Sequence, residues 1–370
     1  MKFQAMKKIL MFCAAVFFFS ASKANETLVD SIPADTKDIS SPEAIIAALY
    51  DVISGPAGQK RNWDRMRTLF VPDARMIPTG KRPTGESTRR VLTVEEYIAN
   101  SGPFLEKEGF FVTYLKPQAN GRLDKDTFIA SLRDDTILVS VMQVNNELGV
   151  IQDIAMLADI TASRGILFHV DAAQGVGKLP LDVTKIPVDL ISVNAHKVYG
   201  PKGIGALYLR KKPRVRVAAQ MHGGGQEQGM RSGTLPLHQI VGMGEALQLA
   251  ALAMPTEISK MQSLREHFLR SIQPIKNIVF HTDITCSVPH ILNLRFNHTP
   301  AETVLQQMPH IAISTASACQ GKSKEASYVL RAIGLSELEA KSGLRISFGR
   351  FTTEEDLTQA TNALLSCRLG

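Results

Sequence analysis

The sequence predicts an α/β fold: a mostly parallel sheet with flanking helices, a smaller C-terminal α/β domain, and a short α+β segment ahead of both. Three observations predict it. Past residue 105, runs rich in Val, Ile and Leu alternate with amphipathic helical patterns, as parallel strands joined by crossover helices require. After Pro255 the alternation resumes with shorter units, which reads as a second, smaller layer. Before residue 105 the pattern is different: three helices and one short strand, with a turn-rich stretch among them. The expected division is a signal segment (1–24), an N-terminal fragment (25–104), a partial large domain (105–255) and a small domain (256–370).

The elements follow in order. Lys2, Lys7 and Lys8 precede the apolar run Ile9 to Phe19, and Ser22-Lys-Ala24 has small residues at the spacing of a cleavage site. The run is too short to span a bilayer as a stable helix. A helix is expected from Ser41 as N-cap, with Pro42 at its first position and Ile45, Ile46, Leu49 and Val52 on one face. Trp63 to Phe70 reads as a short helix, Ala74–Ile77 as a strand, Pro78 to Thr88 as turns, and Thr93 to Asn100 as a helix. In the large domain, strands are expected at Thr136–Gln143, Ile166–Val170, Val188–Val193 and Gly203–Leu209, the last antiparallel. A helix from Gln152 to Arg164 closes on Gly165. Leu237 to Met254 is a long helix stopped by Pro255, and Glu257 to Ile272 a second. Strands near His290–Phe296, Ala312–Ser314 and Leu344–Phe348 and a last helix capped by Thr352-x-x-Glu355 complete the chain.

Composition narrows the function. The net charge of +7 is spread among acids. The one dense basic stretch, Arg210 to Arg216, has no aromatic stacking platform, so nucleic acid is not expected. Cys13, Cys286, Cys319 and Cys367 show no CxxC spacing, so thiols are expected rather than a zinc site or a disulfide framework. After the signal segment no run is long and apolar enough to span a membrane.

Position suggests chemistry. Ligands of such sheets sit at the carboxyl ends of the strands. Asp171 follows one expected strand and Lys197 the next, so both reach one crevice. A lysine amine for an aldehyde and a carboxylate for a pyridine nitrogen are what pyridoxal 5′-phosphate needs. Spacing alone does not decide it: an Asp at a strand end is commonly a turn former, and a lone Lys a solvated one.

The surrounding words are more specific. Val144-Asn-Asn-Glu-Leu-Gly-Val-Ile-Gln152, Phe168-His-Val-Asp-Ala-Ala-Gln174, Ala195-His-Lys-Val-Tyr-Gly-Pro-Lys-Gly-Ile-Gly205 and His222-Gly-Gly-Gly-Gln-Glu-Gln-Gly-Met-Arg-Ser-Gly-Thr234 occur in one order. With them, residues from about 105 to 370 resemble the cysteine desulfurases of iron–sulfur cluster assembly, in the class V aminotransferase family of fold type I. The resemblance implies a pyridoxal-phosphate-dependent enzyme that takes sulfur from L-cysteine, leaving L-alanine and a persulfide on Cys319. Lys197 would hold the cofactor and Asp171 its pyridine nitrogen. Asn146 and Gln174 would contact the ring and its phenolic oxygen. Asn194 and His196 would lie at the phosphate, joined by Thr234 of the other subunit of a homodimer. Arg345, in Gly343-Leu-Arg-Ile-Ser-Phe-Gly-Arg350, would bind the substrate carboxylate, with Asn146 beside it. A sulfur-acceptor or scaffold protein is the further partner this implies.

Residues before 105 resemble the start of exported NTF2-like (SnoaL-like) proteins, in Ser41-Pro-Glu-Ala-Ile-Ile-Ala-Ala-Leu-Tyr50, Trp63-Asp64 and Tyr97-Ile-Ala-Asn-Ser-Gly-Pro-Phe104. The two resemblances meet at Phe104-Leu-Glu-Lys-Glu-Gly-Phe-Phe111, which reads as a fusion joint. The fold type I part is therefore expected to be incomplete. The family's Gly/Thr-rich phosphate turn and the histidine that stacks on the cofactor ring are not found, Asn194 stands where a serine is usual, and Gln228 where an arginine is usual. Two readings stay open: an active desulfurase, or a catalytically inactive fusion that at most binds the cofactor or dimerises. Localisation conflicts in the same way, since the signal segment implies export and the desulfurase part the cytoplasm.

Overall fold

The computed structural model describes residues 34–40, 42–55, 58–71, 74–76, 79–81, 87–89, 92–108, 112–219, 221, 223–315 and 326–367. The expected signal segment, the Ser41 cap and Cys319 lie outside the described residues. The chain forms two compact units: residues 1–114 with 216–235, and residues 115–215 with 236–370.

The first unit holds α1 (Pro42–Ile53), α2 (Trp63–Thr68), β1 (Arg75–Met76), β2 (Thr79–Lys81), β3 (Ser87–Arg89), β4 (Leu92–Thr93) and α3 (Val94–Glu108). The stretch expected as turns contains the β2–β3 hairpin. The helix expected to end at Asn100 runs to Glu108, through the sequence joint, with Pro103 inside it. Packing explains the extension. Leu105 joins Val52, Met66, Tyr97 and Ile98 in this unit's core. Buried Arg61 also donates to the carbonyls of Gln59 (2.8 Å), Gly55 (2.8 Å) and Leu105 (3.0 Å), so a charged side chain satisfies carbonyls of the loop after α1 and of α3. Glu106 accepts from the Trp63 indole N–H at 2.8 Å.

The second unit opens with α4 (Lys125–Ser131), β5 (Leu138–Met142), α5 (Ile154–Ser163), β6 (Leu167–Asp171), β7 (Leu190–Asn194), a short 3₁₀ turn (Ala195–Val198) and β8 (Gly205–Leu209). The sheet order is β5-β6-β7-β8. The first three strands are parallel and β8 is antiparallel, as the sequence predicts. Phe168 and Val170 of β6 point into a core with Leu157 and Ala158 of α5 and Phe128 of α4. α5 is capped by Asp153 and closed at Gly165, whose φ of +65° suits the left-handed turn.

One long helix follows, α6 (Leu237–Ser271), where two were expected, with Pro255 inside it. The proline removes one N–H and crowds the Ala251 carbonyl, which costs about 3 kcal/mol in a helix interior. Burial on both sides of it offsets that cost: Met243, Ala246 and Ala250 before, Met261, Leu264 and Phe268 after. The smaller layer contains β9 (Ile278–Phe280), β10 (Ile291–Phe296), α7 (Ala301–Gln307), β11 (Ser314–Thr315), α8 (Tyr328–Ala332), α9 (Glu337–Lys341), β12 (Leu344–Ser347) and α10 (Glu354–Ser366). Its antiparallel sheet has the order β11-β12-β10-β9. Leu292, Leu294 and Phe296 of β10 pack with Leu344 of β12, Phe268 of α6, and Leu357 and Leu364 of α10. The capping box of α10 is Thr353 with Asp356, one residue later than the sequence suggested, and Thr353 has the extended backbone an N-cap needs. Among the described residues no helix is long and apolar enough to cross a membrane.

Candidate active site

The site is built at the carboxyl ends of the three parallel strands. Asp171 is the last residue of β6 and pairs in register with Met142 of β5 and Ser192 of β7. Asn194 ends β7, and His196 and Lys197 sit in the 3₁₀ turn that follows. The turn closes at Tyr199, a non-glycine residue at φ 66°. Such a conformation persists only where contacts hold it. Here the Tyr199 hydroxyl accepts from the Arg350 backbone N–H at 2.6 Å, and the Arg350 guanidinium lies 4.6 Å from the ring centroid.

Asp171 is exposed, and its Oδ1 accepts from the Ala173 N–H at 2.9 Å. Lys197 is half-buried; its carbonyl accepts from Lys178 Nζ at 3.0 Å, while its own amine has no partner among the described residues. An amine and a carboxylate without an ion-pair partner among the described residues, at one end of a sheet, are the donor set that pyridoxal 5′-phosphate requires, so the residues fit the cofactor. Gln174 lies half-buried in the turn directly after β6, and Asn194 and His196 are exposed beside Lys197.

Asn146 and Arg345 come together from elements 199 residues apart: Arg345 Nη1 donates to the Asn146 carbonyl at 3.1 Å. Arg345 Nε is buried with no partner among the described residues. The Asn146 turn is shaped by its neighbour, since Asn145 Oδ1 accepts from the N–H groups of Glu147 (2.9 Å) and Leu148 (2.8 Å). It closes on Gly149 at φ +73°, where a Cβ would stand 3.0 Å from the Ile291 carbonyl. Thr234 is exposed in the segment 216–235, which belongs to the first unit.

Three groups here have no role in the sequence reading: Glu147 and His169, which lie inside quoted motifs, and Lys178, which lies in none. Glu147 is buried and accepts from Ser327 Oγ at 2.5 Å. Burial pushes its carboxyl up to about 6 against that hydrogen bond and the weaker pull of Arg345. His169 bridges the sheet, its Nδ1 2.8 Å from Ser140 Oγ on β5 and its Nε2 2.8 Å from Ser192 Oγ on β7. Burial lowers its basicity, which favours the neutral ring that donates to one serine and accepts from the other. Lys178 lies under the Lys197 backbone. Of the three only His169 lies in a strand, on the face of β6 opposite Phe168 and Val170; Glu147 and Lys178 lie in the loops after β5 and β6.

The family model described as aminotransferase class-V matches residues 76–359. The chain belongs to this family. Among curated class-V relatives, cysteine desulfurase IscS of Photorhabdus laumondii is 54% identical over 256 residues, 69% of this chain and 63% of its own length. The chain thus spans just under two thirds of that relative. A solved NifS-like protein from Rickettsia africae superposes with a TM-score of 0.62 at 27% identity, covering 74% of this chain and 72% of that one. A solved SspA in complex with cysteine has a TM-score of 0.57 at 36% identity, over 69% and 71% of the two chains. These likenesses fit the class-V aminotransferase fold type I described above.

Proposed function

We propose that this chain is a pyridoxal-phosphate-dependent cysteine desulfurase that removes sulfur from L-cysteine, giving L-alanine and a persulfide on Cys319 for iron–sulfur cluster or thio-cofactor synthesis. The observation that carries the reading is the pair at neighbouring strand ends: the Lys197 amine, without a partner among the described residues, and the Asp171 carboxylate, which meets the Ala173 N–H and no cation among the described residues. The identity to IscS and the likeness to SspA in complex with cysteine support the substrate. When bound, the cofactor supplies an electron sink that weakens bonds to the amino acid's carbons. The chain's own residues do the rest. Lys197 holds the cofactor and moves protons at the substrate carbons, and Asp171 keeps the pyridine nitrogen protonated. Gln174, Asn194 and His196 orient ring and phosphate, with Thr234 of a second subunit. Arg345 and the Asn146 side chain hold the substrate carboxylate. The Cys319 thiolate forms the S–S bond as the substrate's carbon–sulfur bond breaks, and the carbon takes up a proton to give alanine. A homodimer and a sulfur-acceptor protein complete the scheme. We further propose that residues 1–24 are a signal peptide and that residues 25–104 derive from an NTF2-like protein.

A second reading has its own observation. Among the described residues β5 and β8 are open sheet edges, and Leu138, Leu207, Leu237, Val241 and Leu252 are exposed on this unit. Uncovered apolar surface of this kind favours a fusion protein that binds the cofactor or dimerises without turnover. One experiment separates the two. The purified chain is loaded with pyridoxal phosphate, its cofactor absorbance band is recorded, and sulfide release from cysteine is assayed beside Lys197→Ala and Cys319→Ala. The desulfurase reading expects a band and sulfide in the wild type, no band shift on adding cysteine to Lys197→Ala, and no sulfide from either variant. A band without sulfide leaves the second reading, and sulfide surviving Cys319→Ala removes that thiol from the scheme.

A further inference from the structure

Glu147 is 4% exposed and Ser327 1% exposed, and their side chains meet at 2.5 Å across 180 residues of chain. The Ser327 hydroxyl donates its one proton to Glu147 Oε2 and accepts from the Leu330 N–H at 3.2 Å. One oxygen thus caps α8 and holds the carboxylate. The desulfurase reading gives neither residue a role, yet both border groups that it uses. Glu147 directly follows Asn146, whose carbonyl accepts from Arg345 Nη1 at 3.1 Å. The Arg345 charge also acts on the Glu147 carboxyl. Apolar contacts reinforce the junction, since Leu148 and Val150 pack with Val329 and Leu330 of α8 and with Ala340 of α9. On the other side β11 pairs with β12, and Ser314 stands opposite Arg345. The stretch that contains Cys319 is entered from β11 and left at Ser327. Both of its flanks therefore end on residues tied to Asn146 and Arg345.

We propose that Glu147 and Ser327 are a positioning pair for the substrate carboxylate: their hydrogen bond sets where the Asn146 turn stands against Arg345. The inference rests on the desulfurase reading and assigns residues that the reading leaves out. Apolar packing of Leu148 and Val150 fixes how deep the turn sits, but it has no direction. A hydrogen bond has one, so the Ser327 contact fixes how the turn is rotated. Breaking that contact leaves a buried carboxyl without its partner, and the turn must shift to find another. Arg345 Nη1 is bound to the same turn, so a rotated turn takes this donor with it and alters the fork that Arg345 presents to a carboxylate.

The test reads binding and needs no turnover. L-Alanine carries the carboxylate without a thiol, so its affinity does not depend on Cys319. It is titrated into the full chain loaded with pyridoxal phosphate at pH 7.5, and the shift of the cofactor absorbance band gives its Kd. Ser327→Ala and Glu147→Ala should each weaken alanine by about fivefold or more, the lower end of what a lost buried hydrogen bond is worth. The double variant should be no weaker than either single one, because the two side chains act as one contact. Glu147→Gln keeps an acceptor for Ser327 Oγ and should stay within about threefold of the wild type. Phe128→Ala, which empties a core position under the parallel sheet, should lower the melting temperature and leave alanine affinity unchanged. Unchanged affinity in Ser327→Ala, additive losses in the double variant, Glu147→Gln as weak as Glu147→Ala, or an equal loss in Phe128→Ala overturns the proposal. Should Glu147→Ala lack the wild-type circular dichroism, Ser327→Ala, Glu147→Gln and Phe128→Ala decide. A wild type that shows no band shift with alanine overturns the desulfurase reading and this inference together, whereas a wild-type shift that Ser327→Ala preserves overturns this inference alone.

Discussion

Glu147→Gln tests whether the buried carboxyl beside Asn146 is a burden at neutral pH. Burial raises its pKa from 4.5 to about 6, the Ser327 hydrogen bond and Arg345 pulling the other way. The folded chain therefore holds this proton more tightly than the unfolded chain. Stability from this group is full below about pH 4.5 and is lost as pH rises through about 6. At 1.36 kcal/mol per pKa unit, the ionised group costs about 2 kcal/mol at pH 7.5. Glutamine is close in shape and its Oε1 still accepts from Ser327 Oγ, which now donates at 2.5 Å. Glu147→Gln should therefore be more stable than the wild type by up to about 2 kcal/mol at pH 7.5, or roughly 4–8 °C for a unit of this size. At pH 4.5 the difference should vanish. The assay is urea or thermal unfolding followed at several pH values between 4 and 8. A difference that does not change with pH, or a variant less stable at pH 7.5, refutes the reasoning. It would mean that Arg345 pairs with an ionised Glu147 strongly enough to reverse the burial effect.

His290 should act in the opposite direction: its pKa is depressed from 6.5 to about 3, so the unfolded chain binds the extra proton. Stability is lost as pH falls from about 6.5 towards 3, by about 4–5 kcal/mol at the limit, and His290→Gln should flatten that acid limb in pH-dependent unfolding. Arg210→Ala should cost about 3–5 kcal/mol in urea unfolding, because Asp189 is buried and keeps its Arg210 partner at 2.5 Å and the Phe168 N–H at 2.9 Å. Phe168→Ala, at 0% exposure on β6, should cost about 3–5 kcal/mol by the same measurement, while leaving the first unit's transition unchanged.

The parallel sheet was legible because its strands are nearly continuous apolar runs, and such runs occur where both faces are covered. β5, β6, β7 and β8 lie within two residues of their expected places. What local sequence could not show was where packing overrides a local rule. Pro255 reads as a stop, yet α6 passes through it because apolar residues on either side bury together. Asn100 reads as a helix end, yet α3 continues because Leu105 has a core to enter and Arg61 satisfies its carbonyls. Both misreadings concern a cost of a few kcal/mol that a long-range contact repays.

The site divides along the same line. Asp171 and Lys197 were legible because their roles follow from strand ends and chemistry, and Asn146 and Arg345 because motifs carried them. Glu147, Lys178 and His290 were not legible as titrating groups, since a residue's letter does not state its burial. Each is an ordinary surface residue until the fold withdraws water from it. Two of them stand directly behind a residue expected to touch cofactor or substrate, Glu147 beside Asn146 and Arg345 and Lys178 under Lys197, while His290 lies one step further back, within the field of Lys178. The charge state of this layer therefore bears on where the Lys197 amine and the Arg345 guanidinium stand. Glu147 gains a proton below about pH 6 and His290 only near pH 3, so between these values the layer changes charge at Glu147 and not at His290. If the layer positions the site, substrate affinity should show an inflection near pH 6 that Glu147→Gln removes and His290→Gln leaves in place.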